Sequence, residues 1–165
     1  LLSHPILAHT LQRQPLEVVV EKYKNHPIER RGKNFTALRR DGATPPAEAV
    51  TNALTNLCHG LIEMNGLLER FSGPWLLGEF SLPDVTMMAC FHRLEDVHLD
   101  DILGHDQIPL IGGYWDRLQA RPAYKAAITD MHDTVNFRTA IEELFGESKS
   151  PRLAEAQQIM GELAG

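Results

Sequence analysis

Only two cysteines, Cys58 and Cys90, occur in the 165 residues, and they stand in no metal-type spacing. A disulfide framework is excluded, and packed free thiols in a reducing, cytosolic compartment are the expectation. No apolar run approaches the ~18 residues of a membrane-spanning helix; even the opening LLSHPILAHTL is broken by Ser3, His4 and Pro5. No membrane span is expected. Cations are in the minority, because 16 Lys plus Arg against 22 Asp plus Glu leave a formal charge of -6. That charge opposes attraction to nucleic acid or anionic lipid, so neither is expected as a partner. GxSxG, P-loop, GxGxxG and HExxH patterns are lacking, as are internal repeats, low-complexity tracts and any βαβ alternation. What remains is an ordinary globular composition, 43% hydrophobic and 23% charged, in a length that fits one domain. The chain opens on Leu1 with no signal-like region, which points to a piece of a longer protein.

Helical periodicity dominates what is there. Val50, Leu54, Leu57, Leu61, Met64 and Leu68 recur every three or four residues, which predicts one long helix over 44 to 70. Thr44 is placed to cap it, Pro45 suits its first turn and Gly73-Pro74 stops it. Gly60 and Gly66 each cost such a helix about 1 kcal/mol relative to alanine, acceptable where a neighbour must come close and otherwise incidental. In the segment Gly78 to Val85, Ser81 and Asp84 form a capping box, with Phe80 and Val85 as its hydrophobic staple. The helix it starts should end near Asp96 to His98 and carry Leu82, Val85, Met88, Ala89 and His92 on one face. A further helix is predicted from Pro109 to Ala120 with Leu110, Ile111, Tyr114, Trp115 and Leu118 apolar, ending at Arg121-Pro122. Another starts at Pro122, where Tyr124, Ile128, Met131 and Val135 keep the spacing and Ile141 and Leu144 extend it towards Gly146. Gly146 to Ser150 reads as a linker, and Pro151 to Leu163 as a short, easily frayed amphipathic helix. Near the start, Leu16, Val19, Val20 and Tyr23 fit a helix face, and a second helix restarts at His26-Pro27-Ile28-Glu29. The sum is an all-α bundle.

Candidate chemistry is sparse. His92, Asp96, His98, Asp100, Asp101, His105 and Asp106 crowd one segment, and His92 with Asp96 has helical ligand spacing. A solvated acidic helix end accounts for that crowd better than a metal site does. Cys58 and His59 are neighbours on a helix, so their side chains diverge by about 100° and cannot act as a nucleophile and its base. A basic face gathers Lys22, Lys24, Arg30, Arg31, Lys33, Arg39 and Arg40. Its default is a solvated helix face; the alternatives are a wall for an anionic small molecule or a subunit contact.

Three stretches together resemble the C-terminal helical domain of the cytosolic glutathione S-transferase family. The first is Trp75-Leu76-Leu77-Gly78-Glu79-Phe80-Ser81-Leu82-Pro83-Asp84-Val85, similar to that family's capping box and staple, with Pro83 in place of the usual alanine. The second runs from Ile108-Pro109 through Tyr114-Trp115-Asp116-Arg117-Leu118 to Arg121-Pro122-Ala123-Tyr124. The third is the long helix ending at Leu68, in the position of the family's fifth helix. The resemblance covers residues 46 to about 128, with 129 to 165 as a C-terminal helical extension.

It implies a division of labour. In that family a thioredoxin-like N-terminal domain binds the co-substrate glutathione and supplies the Ser, Cys or Tyr that lowers the thiol pKa, because the thiolate is the nucleophile. That domain is absent from this chain, so no residue carries over as catalytic. The helical domain supplies a dry apolar wall that holds a small hydrophobic electrophile in line. Tyr23, Arg30, His92 and Arg93 are the residues expected to face that substrate, while Ser81 and Asp84 are structural. The resemblance further implies a homodimer in the cytoplasm, without metal. The stretch before residue 44 follows no familiar class and leaves the electrophile open, dehalogenase-like and ether-cleaving branches included. A different class of function, a non-catalytic helical module in a protein–protein assembly, fits the same fold.

Overall fold

A computed structural model describes residues 2–42, 44–131, 136–146 and 148–164. Among them the regular structure is helical, and the only extended pairings are two isolated bridges, Trp75 with Gly78 and Leu77 with Glu79. The fold is all-α. The helices are α1 (His4–Gln12), α2 (Leu16–Tyr23), α3 (Glu29–Asp41), α4 (Ala47–Phe71), α5 (Leu82–Asp96), α6 (Pro109–Gln119), α7 (Pro122–Tyr124), α8 (Asn136–Phe145) and α9 (Leu153–Ala164). A 3-10 turn occupies Asp100–Gly104, and a π-helical turn continues α7 over Lys125–Thr129. Even α4, at 25 residues, is not apolar enough to cross a membrane, and neither is any other described helix.

The chain divides into two compact units, Leu1–Val50 with Asp133–Gly146 and Thr51–His132 with Glu147–Gly165. In the first, α1, α2 and α3 enclose Leu11, Val19 and Leu38, with Leu7, Ala8, Tyr23 and Phe35 packed against them. Helix α8 lies along α1, where Glu143 accepts from both Arg13 and His9. Val20 was expected on the inner face of α2 and is instead 40% exposed, because the face closes on Val19 and Tyr23.

In the second unit the core gathers the inner faces of α4, α5, α6 and α9 with the 3-10 turn. Helix α4 begins at Ala47 and not at Thr44. Pro45 precedes another proline, which pushes it out of the helical region, so the carbonyl of Pro46 accepts the first helical bond, from Val50. The buried stripe of α4 is Val50, Leu54, Cys58, Leu61, Asn65 and Leu68. Leu57 and Met64, expected within it, lie beside it, half-buried. In α5 the expected face is corrected more sharply. Leu82 is 76% and Val85 48% exposed, and the residues turned inward are Asp84, Met88, Phe91, Leu94 and Asp96. Cys90, expected to be packed, is exposed, while Cys58 is fully buried as expected. Helix α9 buries Leu153, Ala156 and Met160, and Cys58 Sγ donates to the Ala156 carbonyl at 3.4 Å. Of the residues expected to continue the helix after Pro122, Val135 lies outside the described residues.

Candidate functional site

The tight turn before α5 sets up everything around it. Gly78 has φ +85°, a left-handed conformation that favours glycine, and a Cβ on Gly73 would stand 2.8 Å from the Gly78 backbone. Two glycines thus let the chain fold back on itself and aim Leu76, Phe80 and Ser81 at the start of α5. There the capping box forms: Asp84 Oδ2 accepts from the Ser81 N–H at 2.8 Å and from its hydroxyl at 3.1 Å. The other oxygen, Oδ1, accepts from the Leu76 N–H at 3.1 Å and from the Tyr114 hydroxyl of α6 at 2.9 Å. Asp84 is fully buried with four donors around it. A buried carboxylate is stable only when so satisfied. Burial first, then the bond to Asp84, pushes the Tyr114 hydroxyl well above its ordinary pKa, which keeps it a donor.

Aromatic packing extends this hub. Trp75 stands edge-on to Phe80 and to Tyr114 at 5.0 and 6.3 Å between ring centres, and Arg121 lies over the Phe80 ring at 3.4 Å and over Trp75 at 5.3 Å. Arg117 Nε reaches back to the Pro74 carbonyl at 3.1 Å. Asn65, buried in the stripe of α4, accepts from the Leu110 N–H at 3.0 Å and so satisfies a donor in the first turn of α6. Its role was missed from the sequence; an asparagine at core spacing in an apolar stripe is the signal that could have found it.

At the other end of α5 a second polar cluster forms around Glu95. Its Oε1 accepts from Trp115 Nε1 at 3.2 Å and from the Gln119 amide at 2.7 Å, and its Oε2 lies 3.1 Å from His92 Nδ1. The same His92 nitrogen is 2.9 Å from the Tyr124 hydroxyl. Asp96 receives Arg93 at 2.8 Å and faces His92 Nε2 at 3.8 Å. Burial, with the Glu95 charge beside it, pushes the Tyr124 hydroxyl up to about 12. His92 is thus a half-buried ring held between two carboxylates and a tyrosine, and Arg93 is half-tethered at the rim. Glu95, Gln119 and Tyr124 join His92 there, although none of the three was expected from the sequence to be at a site.

Of the residues expected to face substrate, His92 and Arg93 come together on α5 in the second unit, whereas Tyr23 and Arg30 belong to the first. Tyr23 packs at a tilt against Phe35, 4.7 Å between ring centres, and lines an open groove of about 480 Å³ with Lys24, His26, Lys33 and Arg40. Arg30 is exposed and stands outside that lining. Several cations of the basic face are already met by acids of the same stretch: Lys24 by Glu21, Lys33 by Glu29 and Arg40 by Asp41. They form a solvated helix face. The acidic segment after α5 is likewise dispersed. His98 Nδ1 lies 2.7 Å from the Ser148 carbonyl, Lys149 pairs with Asp101 at 2.7 Å, and the Gln107 N–H donates to His105. Among the described residues no three His, Cys, Asp or Glu side chains are grouped to hold a metal.

Comparison with family models, curated proteins and solved structures finds no match to this chain.

Proposed function

We propose that this chain is the helical, electrophile-binding part of a glutathione S-transferase. One observation carries the reading. Two stretches that bear the resemblance, residues 75–85 and 108–124, are joined by hydrogen bonds and ring contacts into one hub, Asp84 with Tyr114 and Phe80 with Arg121. The long helix, the third stretch, meets the second through Asn65. A glutathione transferase helical domain of this kind needs that pattern to be a scaffold and not a catalytic centre, and the buried, fully satisfied Asp84 suits a scaffold.

In this proposal glutathione is the co-substrate, and its thiol is activated by residues other than those of the helical part. A small hydrophobic electrophile is the substrate, and His92 and Arg93 at the rim of α5 face it. The enzyme works as a homodimer in the cytoplasm. The sulfur of the thiolate bonds to the electrophilic carbon while that carbon's leaving group departs with the electron pair. Turnover of 1-chloro-2,4-dinitrobenzene with glutathione by the full-length gene product tests it. The expected result is conjugate formation that needs both substrates, with KM for the aryl halide raised in His92→Ala. No conjugation across a panel of electrophiles contradicts the reading and leaves an assembly module in its place.

A further inference from the structure

Between α4 and α5, within the second unit, runs an open apolar groove of about 380 Å³ walled by Leu57, Leu61, Met64, Met87, Phe91 and Leu94. None of these side chains serves the hub or the Glu95 cluster through a polar contact. Two features set the groove apart from an ordinary seam between helices. Gly60 lies on its floor, in the middle of α4, where a Cβ would meet nothing within 4 Å. Among the described residues no close approach requires glycine there, and its structural consequence is a deeper groove. The lining also has one sign of charge: Glu63 is its only carboxylate, and no lysine, arginine or histidine lines it.

We propose that this groove binds a compact apolar cation of the arylalkylamine class. Its ring inserts between the methionines and Phe91, above Gly60, and its ammonium stays at the mouth beside Glu63. Charge complementarity selects the sign: the lining offers one carboxylate and no cation, on a chain of net charge -6, while its two polarisable thioethers suit the ligand's aromatic ring. The size is set by the volume, which is at the small end of the ~300 to 1,000 Å³ usual for small-molecule sites. This inference stands independently of the transferase reading.

The groove contains its own reporter. Cys90 is a free, exposed thiol in the lining, whereas Cys58 is buried, its thiol pushed up by burial and its Sγ bonded to Ala156. Alkylation of the full chain by monobromobimane therefore reads Cys90. The experiment follows that rate during titration with phenethylamine and, in parallel, with 3-phenylpropionate, a carboxylate of similar shape. Phenethylamine is expected to slow alkylation saturably and phenylpropionate to leave it unchanged. Glu63→Gln, at an exposed position, should raise the half-protecting amine concentration about threefold. Gly60→Leu, which fills the groove without backbone strain, should abolish the protection. The proposal is overturned by an absence of saturable protection, by equal protection from the carboxylate, or by protection that persists in Gly60→Leu. Protection that rises with protein concentration in the absence of amine would assign the groove to a second copy of the chain and overturn it as well.

Discussion

In the first unit polar contacts sit mostly towards the outside and the apolar core is modest: Leu11, Val19 and Leu38 with a few partners, and Ile6 and Ala140 also buried, alongside exposed pairs such as Arg13–Glu143 and Lys33–Glu29. The second unit has exposed pairs too, such as Lys149–Asp101, but adds polar contacts inside. Asp84 collects four donors at zero exposure, Asn65 satisfies α6 from within the α4 stripe, and Glu95 gathers Trp115, Gln119 and His92. Exposed pairs are screened and entropically costly, so they contribute little and leave geometry loose. Buried, fully satisfied networks work in low dielectric, and removing one member strands the others. The contrast teaches that the second unit is specified by direction as well as by burial.

The largest effect is expected from Asp84→Ala. It leaves two backbone N–H groups and the Tyr114 hydroxyl buried without an acceptor, a loss of about 3 to 5 kcal/mol. Urea unfolding followed by tryptophan fluorescence measures it, and a loss below about 1 kcal/mol would break the comparison. Alkaline titration comes next. Tyr124 titrates near 12 in the folded chain against an ordinary 10, so the stability tied to its neutral form is whole below pH 10 and is lost as pH rises from 10 through 12. Tyr124→Phe should remove part of that fall, the rest belonging to Tyr114; an unchanged alkaline profile would show that the Tyr124 ring is not held as described.

Ser81→Ala is smaller still, about 1 kcal/mol through the lost cap, and an unchanged melting temperature would mean that Asp84 alone carries the box. The smallest effect belongs to the first unit. Glu143→Gln removes an exposed carboxylate that the Arg13 bond holds below its usual range, and no resolvable shift in the unfolding midpoint is expected. A shift comparable to that of Ser81→Ala would erase the distinction between the two units.

The long helices were legible because their signals are local. The period of α4, the proline that opens α6 and the capping box of α5 bring the predicted ends within a few residues of the observed ones, whereas the helix expected to run from Pro122 towards Gly146 starts on its proline but gives way to a π turn that ends at Thr129. What the sequence concealed is orientation. The apolar count of α5 pointed Leu82 and Val85 inward, but one buried, multiply bonded aspartate turned the helix the other way and left Cys90 outside. Helix α1 carries two histidines, a proline and a threonine among its apolar residues and gave no stripe to read. Within the site, His92 and Arg93 were identifiable by their place on the capped helix. Glu95, Gln119 and Tyr124 come from two other elements or from the wrong-looking face, and no spacing rule links them.

Native-state hydrogen exchange of two amides tests the central claim, that Asp84 organises the second unit. The Leu76 and Ser81 N–H groups lie in a turn and at a helix cap, positions that exchange quickly when solvent reaches them. Bonded to a buried carboxylate, they are predicted to exchange only with the slowest core amides of α4 and α6, and to lose that protection in Asp84→Ala. Exchange of both at the rate of ordinary loop amides in the unaltered chain would contradict the account.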